Sequence, residues 1–180
     1  CHNGGMSKTS HPYIYSIDSC FSEDSAKAIP IRLIHAQDFE DLHGRASSSF
    51  SRQMEQGGFQ GKDKQVCILR NEEGAVAEIL FGVCLPVGLY TFSFIHEKLK
   101  SEFGSDFLKS TIFKIDTDVG KEDSDNIASG WALAGYRFDQ LKKDKGKHVP
   151  AILVWPKNAD RKRVAALVEG LCLIKTLINI

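Results

Sequence analysis

Asp116, Asp118, Glu122, Asp123 and Asp125 crowd carboxylates into one short stretch, a density that suits a hard cation such as calcium. A calcium loop of the EF-hand kind needs Asp or Asn at its fifth place, Gly at its sixth and Glu at its twelfth. Counted from Asp116, those places hold Gly120, Lys121 and Ile127. All three fail, so the stretch reads as a solvated acidic loop ahead of a helix, whose positive N-terminal end favours nearby carboxylates.

Gly57-Gly58-Phe59-Gln60-Gly61-Lys62 is the second candidate. A phosphate loop follows a buried strand and has the form GxxxxGK followed by Ser or Thr. Here the spacing is one residue short, Asp63 follows the Lys, and Phe50–Gln60 is not a buried strand. The glycines mark a turn. Lys142, Lys143, Lys145 and Lys147 form a basic run that could neutralise phosphates. Asp144 interrupts it, and no aromatic residues alternate with it as stacking platforms. A solvated loop is the simpler reading.

His11, His35, His43, His96 and His148 are dispersed, and Cys1-His2 sits at a terminus. Cys1, Cys20, Cys67, Cys84 and Cys172 form no CxxC pair. Cys67, Cys84 and Cys172 lie in apolar runs, where a thiol behaves as a small hydrophobe. Scattered cysteines of odd number fit a reducing, cytoplasmic setting. There is no HExxH and no GxSxG. The residues alone therefore give no catalytic, cofactor-binding or metal-binding position.

The elements that would position any site are clearer. Asn126–Leu141 carries Ile127, Trp131, Ala134, Phe138 and Leu141 at alternating spacings of four and three, which line one face of a helix. Ala128, Ala132 and Gly135 form a second row whose small size allows close packing. Ser124 or Asp125 can cap its start. Strands are expected near 31–36, 65–70, 76–83, 111–115 and 149–155, and the other main helices near 93–103 and 159–179. Asn71–Gly74 reads as a hairpin loop. Asp38–Leu42 can start a short helix, Ser47–Ser51 reads as a flexible connection, and Gly104 stops the helix before it.

The last helix is amphipathic at first, with Val164, Leu167, Val168 and Leu171 expected to face inward. Its second half, LCLIKTLINI, is apolar nearly all round, and such a helix is normally covered on every side. The expectation is a partner domain that follows this chain.

The chain has 180 residues and 42% hydrophobic residues, enough for one domain with a real core. Lys plus Arg equals Asp plus Glu at 23 each, so a dedicated nucleic-acid role is disfavoured. No apolar run approaches the ~20 residues of a membrane span, and the first thirty residues show no secretory signal. Residues 1–28 read as an N-terminal extension, partly flexible, in which 1–5 precede Met6. Residues 29–158 read as the α/β domain and 159–180 as the helix that leads out of it. The expected class is a three-layer α/β/α fold with a mixed, mostly parallel sheet.

Three segments together resemble the N-terminal domain of the leucine (cytosol) aminopeptidase family. They are GWALAGYRFD (130–139), AILVWP (151–156) with Ala159-Asp160 and Val164, and EGLCLIKTLIN (169–179). Gly58–Leu69 is a weaker match. The resemblance implies a macro-domain-like fold that serves as the non-catalytic part of a metallo-aminopeptidase. The implied partners are the enzyme's own C-terminal catalytic domain, further copies in a hexamer, and a peptide substrate. Two divalent metal ions, zinc or manganese, are implied for the whole enzyme, and no cofactor for this segment. The family's metal-ligating motif Asn-Thr-Asp-Ala-Glu-Gly-Arg is absent here, so no catalytic or metal residue is carried over. Whether the segment is itself an enzyme stays open. The alternatives are a stand-alone macro-like module for a nucleotide or ADP-ribose, and a DNA-binding domain.

Overall fold

The computed structural model describes residues 17–136 and 151–178. Its strands are β1 (Phe21–Ser22), β2 (Ile29–Ile34), β3 (Val66–Arg70), β4 (Val76–Gly82), β5 (Ile112–Ile115) and β6 (Ile152–Val154). They form one sheet in the order β1-β6-β5-β2-β4-β3. Every neighbouring pair is parallel except β3–β4, the hairpin. The helices are α1 (Phe39–Arg45), α2 (Ser48–Gln56), α3 (Thr91–Ser110), α4 (Lys121–Gly135) and α5 (Arg161–Ile178).

Strand side chains alternate between the two faces of a sheet, and here each face has its own core. Ile31, Leu33, Ile79, Phe81, Phe113 and Leu153 pack with residues of α3, α4 and α5. Ile34, Leu80, Cys67 and Leu69 pack with Met54 of α2, while Phe39, Leu42 and Phe50 close over them. The chain is thus three layers, α/β/α, with a mixed and mostly parallel sheet.

Trp131 of α4 is the largest fully buried side chain. It meets Phe113 on the sheet at 5.6 Å between ring centroids and His96 of α3 edge-on at 5.4 Å. Its indole N–H donates to the Ala151 carbonyl at 2.9 Å. Beside it, Gly130 lets the Leu89 backbone come close, since a Cβ there would lie 2.4 Å from the Leu89 oxygen. Ser93 Oγ donates to the Gly130 carbonyl at 2.7 Å and Asn126 Nδ2 to the Val87 carbonyl at 2.9 Å.

Several expected boundaries shift. The helix expected over Asn126–Leu141 starts at Lys121 with Gly120 as its cap position and ends at Gly135. Neither Ser124 nor Asp125 caps it. Glu122 and Asp123 sit in the first turn instead, where carboxylates offset the helix dipole. Phe138, Leu141 and the lysine run 142–147 lie outside the described residues. As expected, Gly104 (φ 77°, ψ 169°) stops the helical path that begins at Thr91, and a second helical stretch of α3 follows it to Ser110. Only a residue without Cβ takes that backbone geometry readily.

Ser47–Ser51, expected as a flexible connection, opens α2. The Ser47 hydroxyl accepts the Phe50 N–H at 3.3 Å, a serine cap, and Met54 anchors the helix with no exposed surface. Gln53 of α2 also grips the outer strand: its Oε1 accepts the Arg70 N–H at 2.8 Å and its Nε2 donates to the Arg70 carbonyl at 2.9 Å.

Part of the expected N-terminal extension is built into the fold. Ile17 and Cys20 are buried and β1 pairs with β6. Phe21 stacks on Trp155 at 3.8 Å, and the Arg161 guanidinium lies over the Trp155 ring at 5.1 Å while forking onto both carboxylate oxygens of Glu23.

The Asn71–Gly74 hairpin is as expected. Asn71 Oδ1 accepts the Glu73 N–H at 3.1 Å and the Ala75 N–H at 2.9 Å. In α5 the buried row is Val164, Val168, Cys172 and Thr176. Leu167, expected inward, is 41% exposed, because the fourfold spacing of the buried row turns it outward.

Burial pushes the Cys67 thiol up, and that of Cys172 up to about 11. Cys84 is the exposed cysteine among the described residues. Because the thiolate is the reactive form, iodoacetamide near neutral pH should label Cys84 in the folded chain. Cys67 and Cys172 should react only once denaturant is added, as read by peptide mass mapping.

Candidate functional site

The acidic loop does not converge. The Asp116 carboxylate lies 3.8 Å from Lys114 Nζ. Asp123 Oδ1 accepts the Val87 N–H at 2.8 Å, so it serves the loop before α3. Asp125 turns the other way, taking the Asp160 N–H at 2.6 Å and lying 3.8 Å from Lys121 Nζ and 3.6 Å from Arg163. Asp118 and Glu122 are exposed. Among the described residues no three His, Cys, Asp or Glu side chains cluster so as to hold a metal ion.

Asp160 is the cap of α5: its Oδ1 accepts the Arg163 N–H at 3.2 Å. That bond, with Lys121 at 3.2 Å, holds its carboxyl below the ordinary aspartate range.

The glycine-lysine stretch is a turn built against the sheet. Gly58 and Gly61 have positive φ. Gln65 Oε1 accepts the Gln60 and Lys62 N–H groups at 2.9 and 3.1 Å, while its Nε2 donates to the Gly58 carbonyl at 3.3 Å. The amides of Gly57, Gly58 and Phe59 donate to carbonyls of α2 and those of Gln60 and Lys62 to Gln65, so these five are not aimed at a phosphate. His35, just past β2, donates its Nδ1–H to the Val83 carbonyl at 2.9 Å, since a carbonyl can only accept. His43 pairs with Glu55 at 3.1 Å, and His96 is buried against Trp131.

Two features are not explained by packing alone. The first is a cavity of about 500 Å³ between the sheet and the α1–α2 pair. Its floor is apolar, formed by Leu80, Leu69 and Met54, with Leu42 and Phe50 above. In its wall Arg32 Nε lies 2.8 Å from Glu78 Oε1, and the Glu78 side chain is only 13% exposed. Burial pushes the Glu78 carboxyl up; Arg32 pulls it back, and Asp116 adds to the rise. Sequence reading passed over both residues. The signal was there: single charges inside the apolar strands IRLIHA and VAEILFGV, in phase with core positions.

The second feature is the outer face of α5. Leu173, Ile174, Leu177 and Ile178 are 42%, 54%, 63% and 78% exposed. Among the described residues this apolar face is left largely uncovered. Scattered surface leucines are ordinary, but a contiguous patch marks an interaction surface. No helix among the described residues is long and apolar enough to cross a membrane.

Solved structures share this fold. A cytosol aminopeptidase from Coxiella burnetii superposes with a TM-score of 0.68 at 20% identity, over 89% of this chain and 33% of that one. A point mutant of tomato leucine aminopeptidase gives 0.55 at 13% identity, over 84% and 35%. The bottromycin maturation enzyme BotP in complex with Mn gives 0.52 at 19% identity, over 87% and 32%. The chain therefore spans about a third of the length of each. Sequence comparison with curated proteins finds no match. The model of the M17 aminopeptidase N-terminal domain family matches residues 29–156. With that match over most of its length, and with the sheet and helices of those aminopeptidases, the chain belongs to the M17 aminopeptidase N-terminal domain family.

Proposed function

We propose that this chain is the non-catalytic N-terminal domain of a metal-dependent leucyl aminopeptidase that removes N-terminal residues from peptides. Its role is assembly of the enzyme and control of access to the catalytic centre. The carrying observation is the exposed apolar face of α5, Leu173, Ile174, Leu177 and Ile178. In this reading that face docks on the enzyme's C-terminal catalytic domain, which holds two divalent ions, zinc or manganese. The working enzyme is a cytoplasmic hexamer.

Metal-assisted peptide hydrolysis needs converging ligands and an open coordination position, and the described side chains offer no such group. The crevice beyond the carboxyl ends of β5 and β6, where α/β folds often hold ligands, is lined by Asp116 and Asp118. Those carboxylates oppose a diphosphate, so the ADP-ribose reading has no observation in its favour.

The test has two arms. The 180-residue chain, given Leu-p-nitroanilide and manganese, should show no chelator-sensitive turnover. In the full-length parent, Leu177→Asp should split the assembly in sedimentation and lower activity by about tenfold or more, since an unpaired charge in an apolar interface costs several kcal/mol. Strong turnover by the chain alone, or an unchanged Leu177→Asp parent, sinks the reading.

A further inference from the structure

α5 presents two different faces. Val164, Val168, Cys172 and Thr176, every fourth residue, are buried. Opposite them Leu167, Gly170, Ile174 and Leu177 recur at spacings of three, four and three, the rhythm of a helix-to-helix seam. All four are exposed, and so are Ala166, Leu173 and Ile178 beside them. The charged residues of this stretch, Glu169 and Lys175, fall off the stripe. The stripe is also uneven. A notch of two small residues, Ala166 and Gly170, is followed by three bulky ones, Ile174, Leu177 and Ile178. A Cβ on Gly170 would meet nothing within 4 Å, so the notch opens outward.

We propose that this chain, standing alone, forms a twofold dimer through the outer face of α5, so that the occupant of the stripe is a second copy. The stripe is its own complement. With two α5 helices antiparallel and the axis beside residue 172, Gly170 faces the partner's Ile174, Ala166 faces the partner's Ile178, and Leu167 faces the partner's Leu177. Bulky side chains then enter small gaps, and one patch serves both copies, as a twofold interface requires. A parallel pair would set glycine against glycine and leave a void. The antiparallel pair also brings Lys162 and Arg163 beside the last helical turn of the other copy, whose unpaired carbonyls carry partial negative charge. One helix pair is a small interface, at the lower end of the roughly 1,000–1,200 Å² that stable association needs, so the Kd is expected on the order of 10 μM. The inference goes beyond the proposed function. A catalytic domain in the same polypeptide meets the stripe at a far higher effective concentration and displaces the second copy.

Sedimentation equilibrium of the 180-residue chain, from about 1 to about 200 μM, brackets that Kd. A monomer–dimer equilibrium with no larger species is expected, and Leu177→Asp should leave only monomer, because it places a charge in the seam. Gly170→Leu is the decisive variant. It adds apolar surface and removes a poor helix former, so a nonspecific greasy contact would tighten. In the antiparallel register it fills the gap that the partner's Ile174 needs, and the dimer should weaken about tenfold or more. Adding Ile174→Ala to Gly170→Leu moves the knob to the other side of the seam and should restore most of the affinity. Four results would each overturn the proposal: a chain that stays monomeric throughout, association that climbs past the dimer, a dimer that Gly170→Leu leaves unchanged or tightens, or a double variant no tighter than Gly170→Leu alone. None of them bears on the docking of a catalytic domain, which is read in the full-length parent.

Discussion

Trp131→Ala should cost this domain about 4–6 kcal/mol. Trp131 is fully buried between α3, α4 and the sheet, and removing a buried Trp or Phe side chain costs about 3–5 kcal/mol in lost transfer energy and cavity formation. The Ala151 carbonyl also loses its indole donor, which adds about 1 kcal/mol. Domains of this size are stable by only about 5–15 kcal/mol, so the variant sits at or near the edge of folding. Urea unfolding followed by circular dichroism checks this. Trp131→Phe separates the two contributions, because it keeps most of the volume and loses the hydrogen bond; about 1–2 kcal/mol is expected. A loss below about 2 kcal/mol for the alanine variant would show that the layers close over the gap.

Gly82→Ala should be as damaging, for the opposite reason. A Cβ at Gly82 would stand 1.9 Å from the Lys62 oxygen and 2.8 Å from its carbonyl carbon. Those atoms are backbone and cannot rotate away. The turn that carries them is tied down at both sides: Lys64 N–H donates to the Gly82 carbonyl at 2.9 Å, and Gly82 N–H to the Gln65 carbonyl at 2.8 Å. One methyl group must therefore expel the turn or bend β4, at about 3 kcal/mol or more. The same substitution at Gly170, on α5, meets nothing within 4 Å. There it should stabilise by about 0.5–1 kcal/mol, since alanine is the better helix former. Thermal melts of both variants give the contrast directly, and equal effects would contradict the geometry.

The contrast shows what a sequence can and cannot reveal. Nothing local distinguishes Gly82 from Gly170, because the obstacle at Gly82 comes from Lys62 across a strand pairing. Periodic signals were legible. The strands around Ile31, Cys67, Ile79 and Phe113 follow from their short apolar runs, and the Trp131 helix from its spacing. So did the Asn71–Gly74 turn, whose chemistry is confined to five residues. α2 was missed because its opening serines carry no apolar period; its anchor, Met54, lies beyond the window of SSSFS. β1 has two residues and no period to detect. Asp125 looked like a cap for its own helix and instead binds the Asp160 N–H on another. The cavity was invisible for the same reason. It exists only once the register sets Arg32 beside Leu80 and brings Glu78 within 2.8 Å.

β3 borders the sheet, and an open border invites another molecule to zip on. At Arg70 the place such a newcomer would take is filled by the carboxamide of Gln53, which mimics one rung of a neighbouring backbone. Gln53→Ala would uncover that rung, and light scattering should then report faster clumping of a domain whose melting point has scarcely changed.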